Sequence, residues 1–559
     1  MTDRKRYLIV YQPSVIRAWM MIFLLISVFL ISCNPGKKEQ EIRKVFRYNE
    51  ATGISSLDPA FAKDLSNLWA VNQLYNGLVQ TNDQLQAGPC IAYAWNITEG
   101  GTVYTFHLRT DVFFHDHPLF PQGKGRRVTA EDFVYSFRRL ADPAVASPGA
   151  WVFHHVRNID GLYSFYALDD TTLQIVLSAP FPPFIGLLCM QYCSVVPREM
   201  AEHFGQDFRR NPVGTGPFQF GYWKEGVKLV MVKNPHYFEL VDGQRLPHID
   251  AVSVTFLIDK QSAFLEFVKG NLDFLSGLDP GYKDHLITRR GELQPKYASR
   301  FDMYTMPYLN TEYLGILLDT VQGSAAAGPL LIREVRQALN MGFDRVKMIR
   351  YLRNNIGTPG FYGIIPPGMP SFDSVLMNGY RYDPQESRRL LAKAGFPGGE
   401  GLPPVTLSTT ADYVDICKFI QSQLADIGVK IQIDVTPSAT IRELKAQAKL
   451  PFFRASWIAD YPDEENYLSL FYSRNFCPAG PNYTHFYNRE VDRLYERSLN
   501  EPSDSLRQIY YQQMSRIITG EAPVIILYYD QVLRFVRKNI SGLGINPTNL
   551  LTLKNVTIQ

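Results

Sequence analysis

The sequence predicts an α/β or α+β fold in more than one domain, and three observations carry that prediction. The chain has 559 residues, several times the usual domain size. Helix and strand signals alternate along it, and residues 405–435 read as strand, helix, strand. Hydrophobic residues make up 46%, charged residues 20% and aromatics 13%, which is enough apolar material for packed cores. Lys and Arg total 57 against 54 Asp and Glu, a net charge of +3. No basic block exists that could neutralise a run of phosphates, so nucleic acid is excluded as a partner.

Taken in order, the first element is an export signal. Arg4, Lys5, Arg6 and Arg17 precede an apolar run over 18–31 that ends in Ser32-Cys33. The run is shorter than the ~20 apolar residues a bilayer-spanning helix needs. Leu30-Ile31-Ser32-Cys33 resembles the bacterial lipobox, which implies lipidation of Cys33 as the first mature residue. Residues 34–44 then read as a polar tether. Of the six cysteines, five remain, and no Cys-x-x-Cys pair suggests zinc or redox chemistry. Cys189 and Cys193 reach disulfide distance only if the chain between them is helical or turned.

Residues 103–108 and 171–177 alternate as strands. Thr129-Ala130-Glu131-Asp132 is an N-cap with an acid three residues on, and Phe133, Phe137 and Leu140 follow at helical spacing. Asp383-Pro384 opens a second helix carrying Leu390, Leu391 and Ala394, which Gly395 stops. A strand over 405–408, a helix face at Ile416, Phe419, Ile420, Leu424 and Ile427, then a strand from Val429 to Val435 form a βαβ unit, hence a parallel or mixed sheet. Residues 522–529 form a short apolar run typical of a buried strand. No low-complexity linker and no repeat divides the chain, so its domains interleave or pack directly.

Catalytic motifs are missing: there is no G-x-S-x-G, H-E-x-x-H, Walker lysine or dinucleotide fingerprint. Gly214-Thr215-Gly216-Pro217 reads as a tight turn, because Pro217 removes an amide and no Lys follows. His115-Asp116-His117 and His154-His155 fit loop histidines better than a metal centre, since no third fixed ligand accompanies them. No metal or other cofactor is expected. The most suggestive segment runs from Arg454 through Ser456, Trp457 and Asp460 to Asp463, where an apolar strand ends in polar residues. In α/β folds such strand ends line the cleft. A carboxylate there can pair with an ammonium, and an Arg fork can hold a carboxylate. The same residues also fit local roles, Asp460 capping a turn and Arg454 ion-pairing within the protein.

Several motifs in order resemble one family. They are Ser56-Leu57-Asp58-Pro59, Leu74-Tyr75-Asn76-Gly77-Leu78, Phe106-His107-Leu108-Arg109, Val128-Thr129-Ala130-Glu131-Asp132 and Arg139-Leu140-Ala141-Asp142-Pro143. Asn211 to Phe218, Tyr382-Asp383-Pro384 with Leu390 to Gly395, and Trp457-Ile458-Ala459-Asp460-Tyr461 complete the set. Nearly the whole mature chain is similar to the extracytoplasmic solute-binding proteins of ABC importers, of the peptide, oligopeptide and nickel-binding family.

The resemblance implies a two-lobed, three-domain periplasmic-binding-protein-like fold with mixed sheets and a hinge. It divides the chain into a first-lobe main domain (45–81, 206–305, 529–559), an accessory domain (82–205) and a second lobe (306–528). By analogy Asp460 receives a peptide's N-terminal ammonium, and the backbone of Ser456 and Trp457 bonds to its main chain. The stretch 62–65, with Asp64 and Leu65, contacts it from the other lobe, and Arg454 approaches its carboxylate. The implied partners are a peptide, permease subunits and, through Cys33, a bacterial membrane, with the protein working extracytoplasmically as a monomer and not as an enzyme. Two departures stand out: Gly149 occupies a position where the oligopeptide type has a ligand-facing Tyr, and the loop over 117–127 is long. Trp151 is one residue that could fill the space at Gly149. Alternatives are a nickel-chelate, haem or oligosaccharide binder on the same scaffold, a peptide or cell-wall hydrolase, and a structural lipoprotein.

Overall fold

The computed structural model describes residues 43–559 except 278, 280, 320–327 and 378. The export signal, Cys33 and most of the tether lie outside the described residues. From Val45 to Gln559 the chain forms one compact unit.

Three sheets organise it. In the first, Val45–Asn49 pairs in parallel with Ala251–Thr255, which pairs antiparallel with Lys228–Lys233 and so leads to Phe218–Lys224. Phe46 and Tyr48 point to the same side of their strand and are buried against Trp69 and Phe274. The second sheet is antiparallel, in the order Ala92–Thr98, Val103–Leu108, Thr172–Val176, Phe165–Asp169. Helix Ala130–Ala141 packs across it. As its Thr-x-x-Asp start predicts, the Asp132 carboxylate accepts from the Thr129 backbone N–H at 2.8 Å and from its hydroxyl at 3.1 Å. Both sheets share one core.

The third sheet has seven strands. Phe274–Ser276, Val524–Arg537, Phe301–Ile316 and Phe452–Ile458 run antiparallel, and Thr358–Pro359 pairs with Val524–Arg537. Val405–Thr409 lies parallel to both Ile431–Val435 and Phe452–Ile458. The expected βαβ unit is therefore present, with helix Val414–Ala425 as its crossover. Cores cover both faces: Tyr313 and Phe453 face one, while Leu314 and Phe452 face the other. That double burial explains the apolar runs of these strands.

Two boundaries differ from expectation. Ala522 has φ +52° and caps helix Asp504–Glu521, so the strand predicted over 522–529 starts at Val524. It continues through polar Asp530 and Gln531 to Arg537, because Phe301–Ile316 supplies a partner along most of its length. Cys189 and Cys193, at the ends of two short turns, carry free thiols, as do the other described cysteines.

Candidate functional site

Strand Phe452–Ile458 delivers the segment singled out above. On one side it is laddered to Phe301–Ile316, with Ser456 opposite Glu312 and Trp457 opposite Thr311. On the other side its register with Val405–Thr409 is Phe453 opposite Ser408, and among the described residues no strand is paired with that edge from 454 onward. The strand ends where the Ala459 N–H bonds to the Leu309 carbonyl at 2.9 Å, and Asp460 follows.

Asp460 is held by a residue the sequence did not single out. Asn466 Oδ1 accepts from the Trp457 indole N–H at 2.8 Å and from the Asp460 backbone N–H at 3.2 Å, while its Nδ2 lies 3.5 Å from Asp460 Oδ2. One amide thus sets the indole and the carboxylate together. The turn beneath is anchored by three consecutive buried acids. Asp463 accepts from Tyr511 at 2.9 Å and from Arg507, Glu464 accepts from the Ser371 N–H at 2.6 Å, and Glu465 accepts from the hydroxyls of Tyr461 and Tyr495. Each acid ties the turn to a different element.

The Asp460 side chain is open to water, yet protein crowds it from most directions. Desolvation pushes its pKa up to about 6, against the Asn466 hydrogen bond, which lowers it. Among the described residues it forms no ion pair. Arg454 is differently placed: its guanidinium bonds to the buried Glu312 carboxylate and lies 3.2 Å from the centroid of the Tyr413 ring. Its charge is matched within the protein.

Asp64 and Leu65 begin helix Leu65–Leu74 on the other core. Asp64 is its N-cap, accepting from the Asn67 N–H at 3.2 Å and from the Ser66 hydroxyl at 2.8 Å. The two halves meet at Tyr461, which follows Asp460 yet is buried in the core of the first two sheets, facing Trp151 with ring centroids 6.2 Å apart. Asp460 and Asp64 also converge on Tyr192, both raising its phenol pKa after burial has done so. Asp460 and Asp64 are therefore both near enough to act on one phenol, while Ser456 and Trp457 precede Asp460 on the strand that leads to it. Neither Tyr461, quoted only as part of a motif, nor Tyr192 carries a local signal of this role, because each acts across a long chain separation.

A concavity of about 1850 Å³ lies elsewhere, between Ser55 and Arg139 on the first core. Its charges neutralise one another, Arg139 on Asp58 and Arg126 on Asp132 each at 2.6 Å, so it offers a ligand little. Gly214 and Gly216 form the expected tight turn: a Cβ on Gly214 would lie 2.1 Å from the Leu74 carbonyl oxygen. Both ring nitrogens of His115 are engaged with this turn, at 3.2 Å from the Gly214 nitrogen and 3.0 Å from the Gly216 oxygen. Burial lowers its pKa to about 4. No cluster of metal-ligating side chains exists among the described residues.

Residues 86–476 match the family described as bacterial extracellular solute-binding proteins, family 5 Middle. The periplasmic oligopeptide-binding protein OppA of Salmonella typhimurium is 26% identical over 91% of this chain and 92% of its own. The dipeptide-binding protein of Escherichia coli is 25% identical, covering 87% and 89%. The periplasmic binding protein DppA of Helicobacter pylori, in complex with the peptide STSA, superposes with a TM-score of 0.75 at 24% identity, covering 93% and 99%. The murein tripeptide-binding protein MppA, in an unliganded open form, gives 0.73 at 23% identity, covering 92% and 98%. The fold they share with this chain is two-lobed. By that match and that shared fold, the chain belongs to the bacterial extracellular solute-binding proteins of family 5.

Proposed function

We propose that this protein captures peptides in the gap between its lobes and delivers them to the permease of an ABC importer, without covalent chemistry. The observation that carries the reading is Asp460: a carboxylate without an ion pair among the described residues, raised by desolvation, just past a strand end. A ligand's α-ammonium would supply the missing charge. The strand edge that has no partner strand among the described residues from 454 onward gives the peptide main chain a ladder to join, through the backbone of Ser456 and Trp457, with residues 62–65 closing from the other side. Main-chain capture accepts many sequences. Arg454, whose charge Glu312 already matches, is the residue assigned by the family analogy to approach a ligand carboxylate.

The names of the relatives, an oligopeptide-binding and a dipeptide-binding protein, support peptides as the cargo. Lipidation at Cys33, work as a monomer, and the division into 45–81 with 206–305 and 529–559, 82–205, and 306–528 complete the proposal. A micromolar affinity, about −8 kcal/mol, suits a receptor that must release what it binds.

Native mass spectrometry of protein purified without denaturation tests the reading. Peptide adducts of several masses are expected, removed on unfolding. A single nickel chelate, haem or oligosaccharide adduct, with no calorimetric heat on adding tripeptides, would contradict it.

A further inference from the structure

Asn466 is 4% exposed and belongs to the one-turn helix Glu465–Leu468. Two of its three side-chain contacts are with donors: the Trp457 indole N–H at 2.8 Å and the Asp460 backbone N–H at 3.2 Å. Each needs an acceptor, and that need fixes the amide. Oδ1 faces both donors, so the NH2 group turns to the Asp460 carboxylate, with Nδ2 3.5 Å from Oδ2. A carboxylate at 466 would set two acceptors against each other, and a hydrocarbon would take the partner from two N–H groups. The backbone that presents the amide is held separately. The Asn466 N–H bonds to the Asp463 carbonyl at 3.2 Å, and its own carbonyl accepts from the Ser469 hydroxyl at 3.0 Å. Next to it, Glu465 accepts from the hydroxyls of Tyr461 and Tyr495. The other ionisable groups on which Asp460 acts are the phenols of Tyr192, Tyr467 and Tyr483, each raised first by burial and therefore neutral.

We propose that Asn466 is a positioning residue for the capture of a ligand's amino terminus: its amide aims the Asp460 carboxylate and ties it to the Trp457 indole, without itself touching the ligand. The proposal deepens the peptide-binding reading and rests on it. The chemistry follows from counting lone pairs. An ionised carboxylate offers about four acceptor sites. The amide takes one of them on Oδ2, which leaves Oδ1 and the rest of Oδ2 for the N–H groups of an ammonium. A donor aimed at the carboxylate also favours its ionised form, against the desolvation that raises it. A carboxylate already pinned loses less side-chain freedom when the ligand arrives. Because the same Oδ1 holds the indole, the acid and the end of the strand before it keep one arrangement.

Calorimetry on the full chain with Ala-Ala-Ala and N-acetyl-Ala-Ala-Ala, from about pH 5 to about pH 9, tests this. Asn466→Ala is expected to weaken the free peptide about tenfold at about pH 7.5 and to leave the acetylated one within about twofold of the parent. The midpoint of the pH profile for the free peptide, about 6 in the parent, should move up by about one pH unit, because the donor is gone and the desolvation stays. In an Asp460→Asn background the same Ala substitution should cost nothing further, since it acts through that carboxylate. Should Asn466→Ala fail to fold, Asn466→Ser takes its place with the same expectations. If the variant weakens free and acetylated peptide equally at every pH, with the midpoint unmoved, Asn466 is mere packing and the proposal falls alone. Free-peptide affinity and midpoint both unchanged from the parent would overturn it as well. If the parent binds neither peptide, or binds both alike, the proposal falls together with the reading it rests on.

Discussion

Burial and a hydrogen bond from Asn466 pull the Asp460 carboxyl in opposite directions, and burial wins, leaving its pKa near 6. A carboxyl raised above its unfolded value gives stability that is complete below the unfolded value of about 3.9 and is lost as pH rises through the folded one. Asp460→Asn should therefore melt higher than the parent near neutral pH without ligand, and the gain should vanish near pH 4. An equal or lower melting temperature at neutral pH would contradict this. Binding has the opposite sign, because an ammonium needs the carboxylate. Affinity for unblocked peptides should be full above about 6 and fall roughly tenfold per pH unit below it, read by calorimetry. The Glu312 and Arg454 pair behaves differently. Glu312→Gln strands a buried guanidinium and should cost about 3 kcal/mol in urea unfolding.

At the scale of elements, the turn carrying Asp463, Glu464 and Glu465 holds Asp460 in place. Desolvation raises Glu465 to about 7, although the Tyr461 and Tyr495 hydroxyls it accepts from lower it. Its contribution to stability is thus present in mild acid and lost as pH climbs through about 7. Glu465→Gln should flatten the pH dependence of melting between about pH 5 and 8; an unchanged slope would show that the group is already paired. Local signals made much of the scaffold legible. Asp383 and Thr129 with Asp132 mark helix starts found in the structure, and the alternation of 405–435 marks a βαβ unit. What could not be read is set by distant pairing. Glu312 meets Arg454 only because two strands run antiparallel, and Tyr192 meets Gly149 only because two turns are packed together. The run 522–529 also looks shorter than the strand it belongs to, since Asp530 and Gln531 hide its continuation. Asp460, Ser456 and Trp457 were legible as a strand end, whereas Asn466, which orients two of them, lies on a neighbouring helix with no pattern to mark it.

At the scale of the whole molecule, strands Phe301–Ile316 and Val524–Arg537 run from a cluster around Phe264 and Phe267 to the cores that flank the seven-stranded sheet. Their ladder breaks between Pro307 and Thr311, where Pro307 has no N–H to give. The break contains Leu309, whose carbonyl ends the Asp460 strand, and lies just before Glu312, which fixes Arg454. In the proposed reading, closure on a ligand needs only a few kcal/mol of differential affinity for the ligand to decide between states. That affinity is assigned chiefly to one charge pair. The most direct measurement is calorimetric titration of the parent and of Asp460→Asn with Ala-Ala-Ala and with N-acetyl-Ala-Ala-Ala. Acetylation should weaken binding to the parent about 100-fold, the Asn substitution should weaken the free peptide to a similar level, and the two losses should not add. Equal affinity of the parent for free and acetylated peptide would contradict the assignment of Asp460 to the amino terminus.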